Sequence, residues 1–264
     1  MPGAPPTPGQ AGPREARLAF RNGLSTATSG WAPGFTQANL ISVPLEYAYD
    51  VLLFAQRNPK PCPLLDVTDP GAAATALGED IDLRTDFPGY RVYRYGELAE
   101  EPTDVLDHWR DDLVSFLIGC SFTFEDALEK GGVPVRHRQA RTNVPMYCSN
   151  IPTRSAGRVG GPTVVSMRPV PASRIVQAVE ITARFPTMHG TPLHVGDPAQ
   201  IGIADLYAPD YGDPPILEPG DVPIFWACGV TPQAAVAAAR LPFAIAHAPG
   251  QMLITDTTDE QWAL

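Results

Sequence analysis

An α/β fold is predicted, with a mixed, largely parallel sheet flanked by helices and a smaller inserted α+β domain. Three observations carry this. The C-terminal part alternates apolar strand, Ala-rich helix and apolar strand, the pattern of a right-handed parallel crossover. Between residues 132 and 186 short apolar runs are broken by turns, as in a separate small α+β unit. The chain has 264 residues, 44% hydrophobic and 18% charged, enough to bury a substantial core. The expected division is a flexible tail over 1–13, a main α/β domain over 14–131 and 187–264, and the smaller domain over 132–186.

The elements follow in order. Residues 1–13 are rich in Pro and Gly and lack an apolar h-region, so they read as a tail rather than a signal peptide. Residues 25–39 are polar and Gly-rich and read as an extended loop. Pro44 suits a first helical position, and Leu45, Ala48, Tyr49, Leu52 and Ala55 mark one apolar helical face that ends at Arg57-Asn58-Pro59. Residues 64–67 and 90–95 read as strands. Leu106, Trp109, Leu113, Phe116 and Leu117 have helical spacing, which predicts a helix from Asp104. A short helix follows Thr123 and closes before Gly131. Within the smaller domain, 133–136, 144–147 and 163–167 are strand candidates and 174–185 a helix. Residues 222–228, 243–247 and 252–255 read as strands. Thr231-Pro232 is an N-cap with a first-turn proline and opens a helix that runs to Arg240. With 30 prolines and 23 glycines the elements should be short and the loops many, and no internal repeat is found.

The net charge is -10 and the pI about 4.9, which argues against nucleic acid and anionic membranes as partners. The mean hydropathy is -0.08, and no apolar run approaches the roughly 18 residues needed to span a bilayer. Lysine occurs only at 60 and 130, so nearly all positive charge is arginine. Cys62, Cys120, Cys148 and Cys228 form no C-x-x-C pair or zinc-type spacing, which points to reduced thiols in a cytoplasm.

The densest polar motif is His189-Gly190-Thr191-Pro192-Leu193-His194-Val195-Gly196-Asp197-Pro198. Two histidines and an aspartate on a constrained loop suit acid–base chemistry, with metal binding a minority reading and a plain polar turn the bland one. His247 ends an apolar strand ahead of Pro249-Gly250, where it is either a hydrogen-bonded structural histidine or a site residue. The Gly229-Val230-Thr231 turn enters a helix N-terminus, which attracts anions. Gly119-Cys120-Ser121-Phe122-Thr123 faintly resembles a nucleophile elbow but has Thr123 where the last glycine belongs. Cys120 reads as an inert buried thiol before a nucleophile. Arg84 and Arg110 each lie beside aspartates and could hold a ligand carboxylate or form a structural ion pair. There is no P-loop, dinucleotide fingerprint or H-E-x-x-H, and neither an organic cofactor nor a metal is expected.

Longer motifs carry a resemblance. They include Thr28-Ser29-Gly30-Trp31-Ala32-Pro33-Gly34, Gln56-Arg57-Asn58-Pro59-Lys60-Pro61-Cys62-Pro63-Leu64-Leu65, Asn143-Val144-Pro145-Met146-Tyr147 and Val165-Ser166-Met167-Arg168-Pro169. The series ends with Gly196-Asp197-Pro198, Phe225-Trp226-Ala227-Cys228-Gly229-Val230-Thr231-Pro232 and His247-Ala248-Pro249-Gly250. From about Arg14 to Asp256 the sequence resembles the D-glutamate cyclase family, whose bacterial members carry a hydro-lyase label. The resemblance implies a carbon–oxygen lyase that converts D-glutamate to 5-oxo-D-proline and water, with no cofactor. Its substrate would be a small glutamate-like carboxylate, and a homodimer stays open. The chemistry then nominates roles: Arg84, Arg110 or Arg168 as carboxylate clamp with Asn143 beside them, and His189 or His194 as base. Asp197 would orient the base or act as acid, His247 is a further catalytic candidate, and Gly229 and Thr231 would stabilise an oxyanion. Two alternatives remain: a lyase or hydrolase of another small carboxylic acid, and a non-catalytic carboxylate binder.

Overall fold

The computed structural model describes residues 7–264. The larger sheet runs β2 (Leu64–Val67), β5 (Leu113–Gly119), β1 (Phe35–Pro44), β10 (Ala244–His247), β3 (Tyr90–Arg94), β4 (Glu97–Glu100), with β11 (Leu253–Thr258) also paired to β1. The smaller runs β6 (Met146–Pro152), β7 (Pro162–Pro171), β9 (Asp221–Ala227), β8 (His194–Val195). Helices α1 (Pro13–Arg21), α2 (Leu45–Arg57), α3 (Glu125–Lys130), α4 (Arg136–Ala140), α5 (Ile175–Ala183) and α6 (Thr231–Ala238) flank them.

The mixed α/β class holds, but the largely parallel sheet does not: every strand pair in both sheets is antiparallel. The expected parallel crossover fails because β9 and β10 belong to different sheets, and α6 carries the chain from one to the other. The helix expected from Asp104 is a short 3-10 turn, Leu106–His108, followed by strand β5. All seven residues of β5 are buried, so the segment has no polar face, and apolar spacing cannot then separate helix from strand. The expected loop over 25–39 gives way at Phe35 to β1, a central strand paired on both sides. The strand candidate at 133–136 leads into α4 instead. Of the expected tail, residues 1–6 lie outside the described residues, and Ala11 is already buried against Phe20 and Trp31.

The pairing registers reveal a duplication that the sequence reading missed. Ala38 to Pro44 of β1 faces Gly119 to Leu113 of β5, and Val165 to Pro171 of β7 faces Ala227 to Asp221 of β9, in matching register. A helix or a 3-10 turn leading into one follows the proline in both copies, Pro44 before α2 and Pro171 before α5. Past the second strand both copies continue Cys-x-apolar-Thr: Cys120-Ser121-Phe122-Thr123 and Cys228-Gly229-Val230-Thr231. The Thr123 hydroxyl accepts from Gln37 N at 3.2 Å and the Thr231 hydroxyl from Val164 N at 3.0 Å, equivalent positions on the paired strands. The helices that follow are exchanged. Phe124 and Leu128 pack with Val170 and Trp226 of the small sheet, while Ala235 and Val236 of α6 pack with Ile41 and Ala246 of the large one. The chain thus holds two copies of one unit, each lending its helix to the other's sheet, and a third cluster of Cys120, Phe122, Met146, Cys228 and Met252 packs where their turns meet.

Candidate active site

That space contains a small cavity of about 10 Å³, room for roughly one water, lined by Asn39, Cys120, Ser121, Phe122, Val144, Met146, Cys228, Val230, Gly250 and Met252. The lining therefore draws on both copies of the duplicated turn and on β1. Asn39 is buried in the middle of β1 and donates its amide to the carbonyls of Gly119 at 2.9 Å and Ile118 at 3.2 Å. It fits there because Gly229 has no side chain: a Cβ on Gly229 would lie 2.1 Å from Asn39 Nδ2. Asn143 uses Gly250 in the same way. Its amide donates to Pro249 O at 3.0 Å, a Cβ on Gly250 would lie 2.2 Å from its Oδ1, and that oxygen is buried with no partner. Gly250 also has φ +84, the left-handed region that glycine enters without strain.

Behind Ser121 lies a buried ionic network. Glu125 Oε1 accepts from Arg168 Nε at 3.0 Å, Arg168 Nη2 at 2.5 Å and His137 Nε2 at 3.0 Å, and Oε2 accepts from Ser29 at 2.7 Å. Burial works against the Glu125 carboxylate, but the charges of His137 and Arg168 outweigh it and hold the carboxyl down at about 2. The Arg168 guanidinium stacks over Phe124 and Trp226 and donates to Ser121 Oγ at 3.0 Å. Since Arg168 fills an acceptor site of that hydroxyl, the Ser121 O–H is left to donate elsewhere. Burial pushes the Cys120 thiol well up and the Cys228 thiol up to about 11, so both are protonated at neutral pH.

Most residues nominated by sequence have their polar groups taken up by local partners, while His189 lies close to Gly119 and Arg168. His189 is buried with φ 75; its Nδ1 donates to Lys60 O at 2.9 Å, its Nε2 has no partner, and burial lowers its pKa to about 4. His194 lies on β8 with Nε2 bonded to the main-chain oxygen of Asp197 at 2.8 Å, while the Asp197 carboxylate caps Ala199 N at 3.0 Å. His247 is fully buried, with Nδ1 3.2 Å from both N and O of Leu40 and a pKa lowered to about 4 by burial. Arg84 is forked onto Asp82 at 2.8 Å, and Arg110 onto Asp112 at 2.9 and 2.6 Å. Arg168 is spent on Glu125. Gly229 and Thr231 belong to the duplicated turn beside the cavity, and Asn143 abuts its Gly250 wall. Among the described residues no group of three or more His, Cys, Asp or Glu is placed to hold a metal ion. Sequence reasoning passed over Asn39 and Glu125, and it weighed Ser121 and Cys228 only within motifs without nominating them. The paired Cys-x-apolar-Thr turn was the signal for Ser121 and Cys228.

Comparison with known proteins agrees in direction. A family model described as D-glutamate cyclase matches residues 114–256. A protein named "Putative hydro-lyase" from Nocardioides sp. is 63% identical over 252 residues, covering 96% of this chain and 93% of its own length. Proteins of the same name from Rhodococcus opacus and Mycolicibacterium gilvum are 62% and 61% identical, over 96% and 94% of this chain and 96% and 95% of their own lengths. A nitrogen repressor-like protein from Methanococcus jannaschii aligns over 86% of this chain and 90% of its own, with a TM-score of 0.39 and 11% identity, too distant for any inference.

Proposed function

Since this chain belongs to the D-glutamate cyclase family and is a hydro-lyase, we propose that it closes D-glutamate to 5-oxo-D-proline and water in the cavity between the duplicated units. The observation that carries this reading is a cluster of neutral proton donors, Cys120, Ser121 and Cys228, with the Asn39 amide beside them, around a gap of about 10 Å³ at the seam of the two copies, which must part to admit the substrate. Ring closure forms a bond from the amine nitrogen to the γ-carbon and breaks one γ-carbon–oxygen bond. The ammonium carries three protons and the lactam nitrogen keeps one. The other two leave on the departing oxygen as water, so the enzyme must relay protons and need not supply any net. A thiol held protonated by burial can give its proton to the departing oxygen and recover one from the ammonium. Ser121, fixed as an acceptor by Arg168, donates to the oxygen that gains charge in the tetrahedral intermediate. Amine and carboxyl already share one molecule, so the cavity acts mainly by fixing a folded conformer and excluding water.

The test is incubation with D- and L-glutamate, with 5-oxoproline followed by chiral chromatography. The expected product is 5-oxo-D-proline from D-glutamate, with a loss of about a hundredfold in Ser121→Ala, the scale of one oxyanion donor. No product from either enantiomer removes the reading, and ligand-induced thermal stabilisation without turnover would establish a binder in its place.

A further inference from the structure

We propose that an outer cleft beside α4 binds an acidic α-amino acid as its zwitterion, at a site separate from the seam. The site stands on its own geometry and does not rest on ring closure. A cleft of about 700 Å³ lies between the Ser29-Gly30 turn and the end of α4, with Ser29, Gly30, Glu129, Arg138, Arg141 and Thr142 in its wall. That is the size of a small-molecule site. Arg138, 15% exposed, spends Nη1 on Asp126 at 2.6 Å and on Glu129 at 3.0 Å. Its other edge, Nε and Nη2, makes no hydrogen bond among the described residues. That edge is the two-pronged donor that matches a carboxylate. It stays open because residue 30 is glycine: a Cβ there would lie 3.3 Å from both Nε and Nη2 and 3.6 Å from Cζ, on the open side of the fork.

Arg141 caps α4 at φ 59, a left-handed conformation that costs an L residue strain, and its guanidinium has no acidic partner among the described residues. Glu129 meets Arg138 through Oε2, which leaves Oε1 open to a donor. Two guanidiniums and one carboxylate are the complement of two carboxylates and one ammonium, the charge pattern of a glutamate-like amino acid. The two acids on Arg138 work against a dianion such as phosphate. The inner wall of the cleft is the outer end of the buried network: Ser29 donates to Glu125 at 2.7 Å, and its hydroxyl lies 3.4 Å from His137 Nε2. Gly30 and Arg138 are the next residues along the chain, so an occupant lies directly outside the two groups that grip Glu125.

Ligand-observed NMR titration reports binding and any lactam formation in one sample. The probes are D- and L-glutamate, glutarate, 5-oxo-D-proline and inorganic phosphate. Glutamate should bind at least about tenfold tighter than phosphate or 5-oxo-D-proline, which has one carboxylate and no ammonium. Arg141→Gln, at an exposed position, and Arg138→Lys, which keeps the charge but loses the fork, should each weaken glutamate at least about tenfold. Glu129→Gln should weaken glutamate but not glutarate, which has no ammonium. Ring closure at saturating D-glutamate should persist in Arg141→Gln, and its loss would overturn the separation of the two sites. Undiminished glutamate binding in both arginine variants, or tighter binding of phosphate, overturns the proposal. Ring closure in a wild type whose glutamate binding ignores these three residues overturns this proposal alone, and cleft binding without ring closure overturns the ring-closure reading alone.

Discussion

Replacing Glu125 by Gln keeps the shape of the side chain and removes a single charge from the ionic network behind Ser121. The carboxylate accepts from Arg168 at 3.0 and 2.5 Å, from His137 at 3.0 Å and from Ser29 at 2.7 Å. Glutamine offers one acceptor oxygen and an NH2 group, so at least one of these donors is left facing another donor. Arg168, 1% exposed, is left without a counter-charge. Breaking a buried pair from one side costs about 3–5 kcal/mol. The acid limb gives a second magnitude. The Glu125 carboxyl lies at about 2 against an ordinary 4.5, and at about 1.4 kcal/mol per pH unit that gap is worth roughly 3 kcal/mol. The folded value lies below the unfolded one. The contribution is therefore complete above the ordinary carboxylate range and is lost as pH falls towards about 2. Urea unfolding across a pH series measures both quantities. Glu125→Gln should start about 3 kcal/mol less stable at neutral pH and should lack that part of the acid decline. A variant within about 1 kcal/mol of wild type, or one with the full acid decline, refutes the account of this network.

Other outcomes follow from single contacts. Gly229→Ala places a Cβ 2.1 Å from Asn39 Nδ2, so the amide must leave two carbonyls, at about 1 kcal/mol each. Asn39→Ala in the same chain should relieve the clash, and simple additivity in thermal melts would contradict it. His247 lies at about 4 against an ordinary 6.5. Stability should therefore fall with pH across that window, where the unfolded chain binds the proton first, and His247→Gln should flatten the decline measured by urea unfolding. Arg84→Ala and Arg110→Ala break partly exposed pairs worth under about 1 kcal/mol and should leave lactam formation within about twofold. A hundredfold loss in either would make that arginine a substrate clamp.

Much of the fold was legible because local signals were strong. Pro44, Thr231-Pro232 and the apolar runs that became β9, β10 and β11 placed those elements within a few residues. Pairing was not legible. Strand–helix–strand with apolar strands looks alike whether the helix returns to its own sheet or crosses to another, and here α6 crosses. β5 was misread because a strand buried on both faces has no period. The duplication was hidden by unequal spacing. Pro44 and Pro171 are 127 residues apart, yet Cys120 and Cys228 are 108 apart, because β2, β3 and β4 fall between β1 and β5. The polar loop from His189 to Asp197 drew notice as a short sequence. The cavity residues come from segments more than a hundred positions apart and are joined only by the fold.

The central claim is that chemistry occurs between the two copies of the duplicated turn. A crystal structure with 5-oxo-D-proline bound tests it most directly. The ligand should lie against Asn39, Cys120, Ser121 and Cys228. Density for it on the His194–Asp197 loop, or in an outer cleft such as that between Lys130 and Arg184, with this cavity empty, would contradict the account.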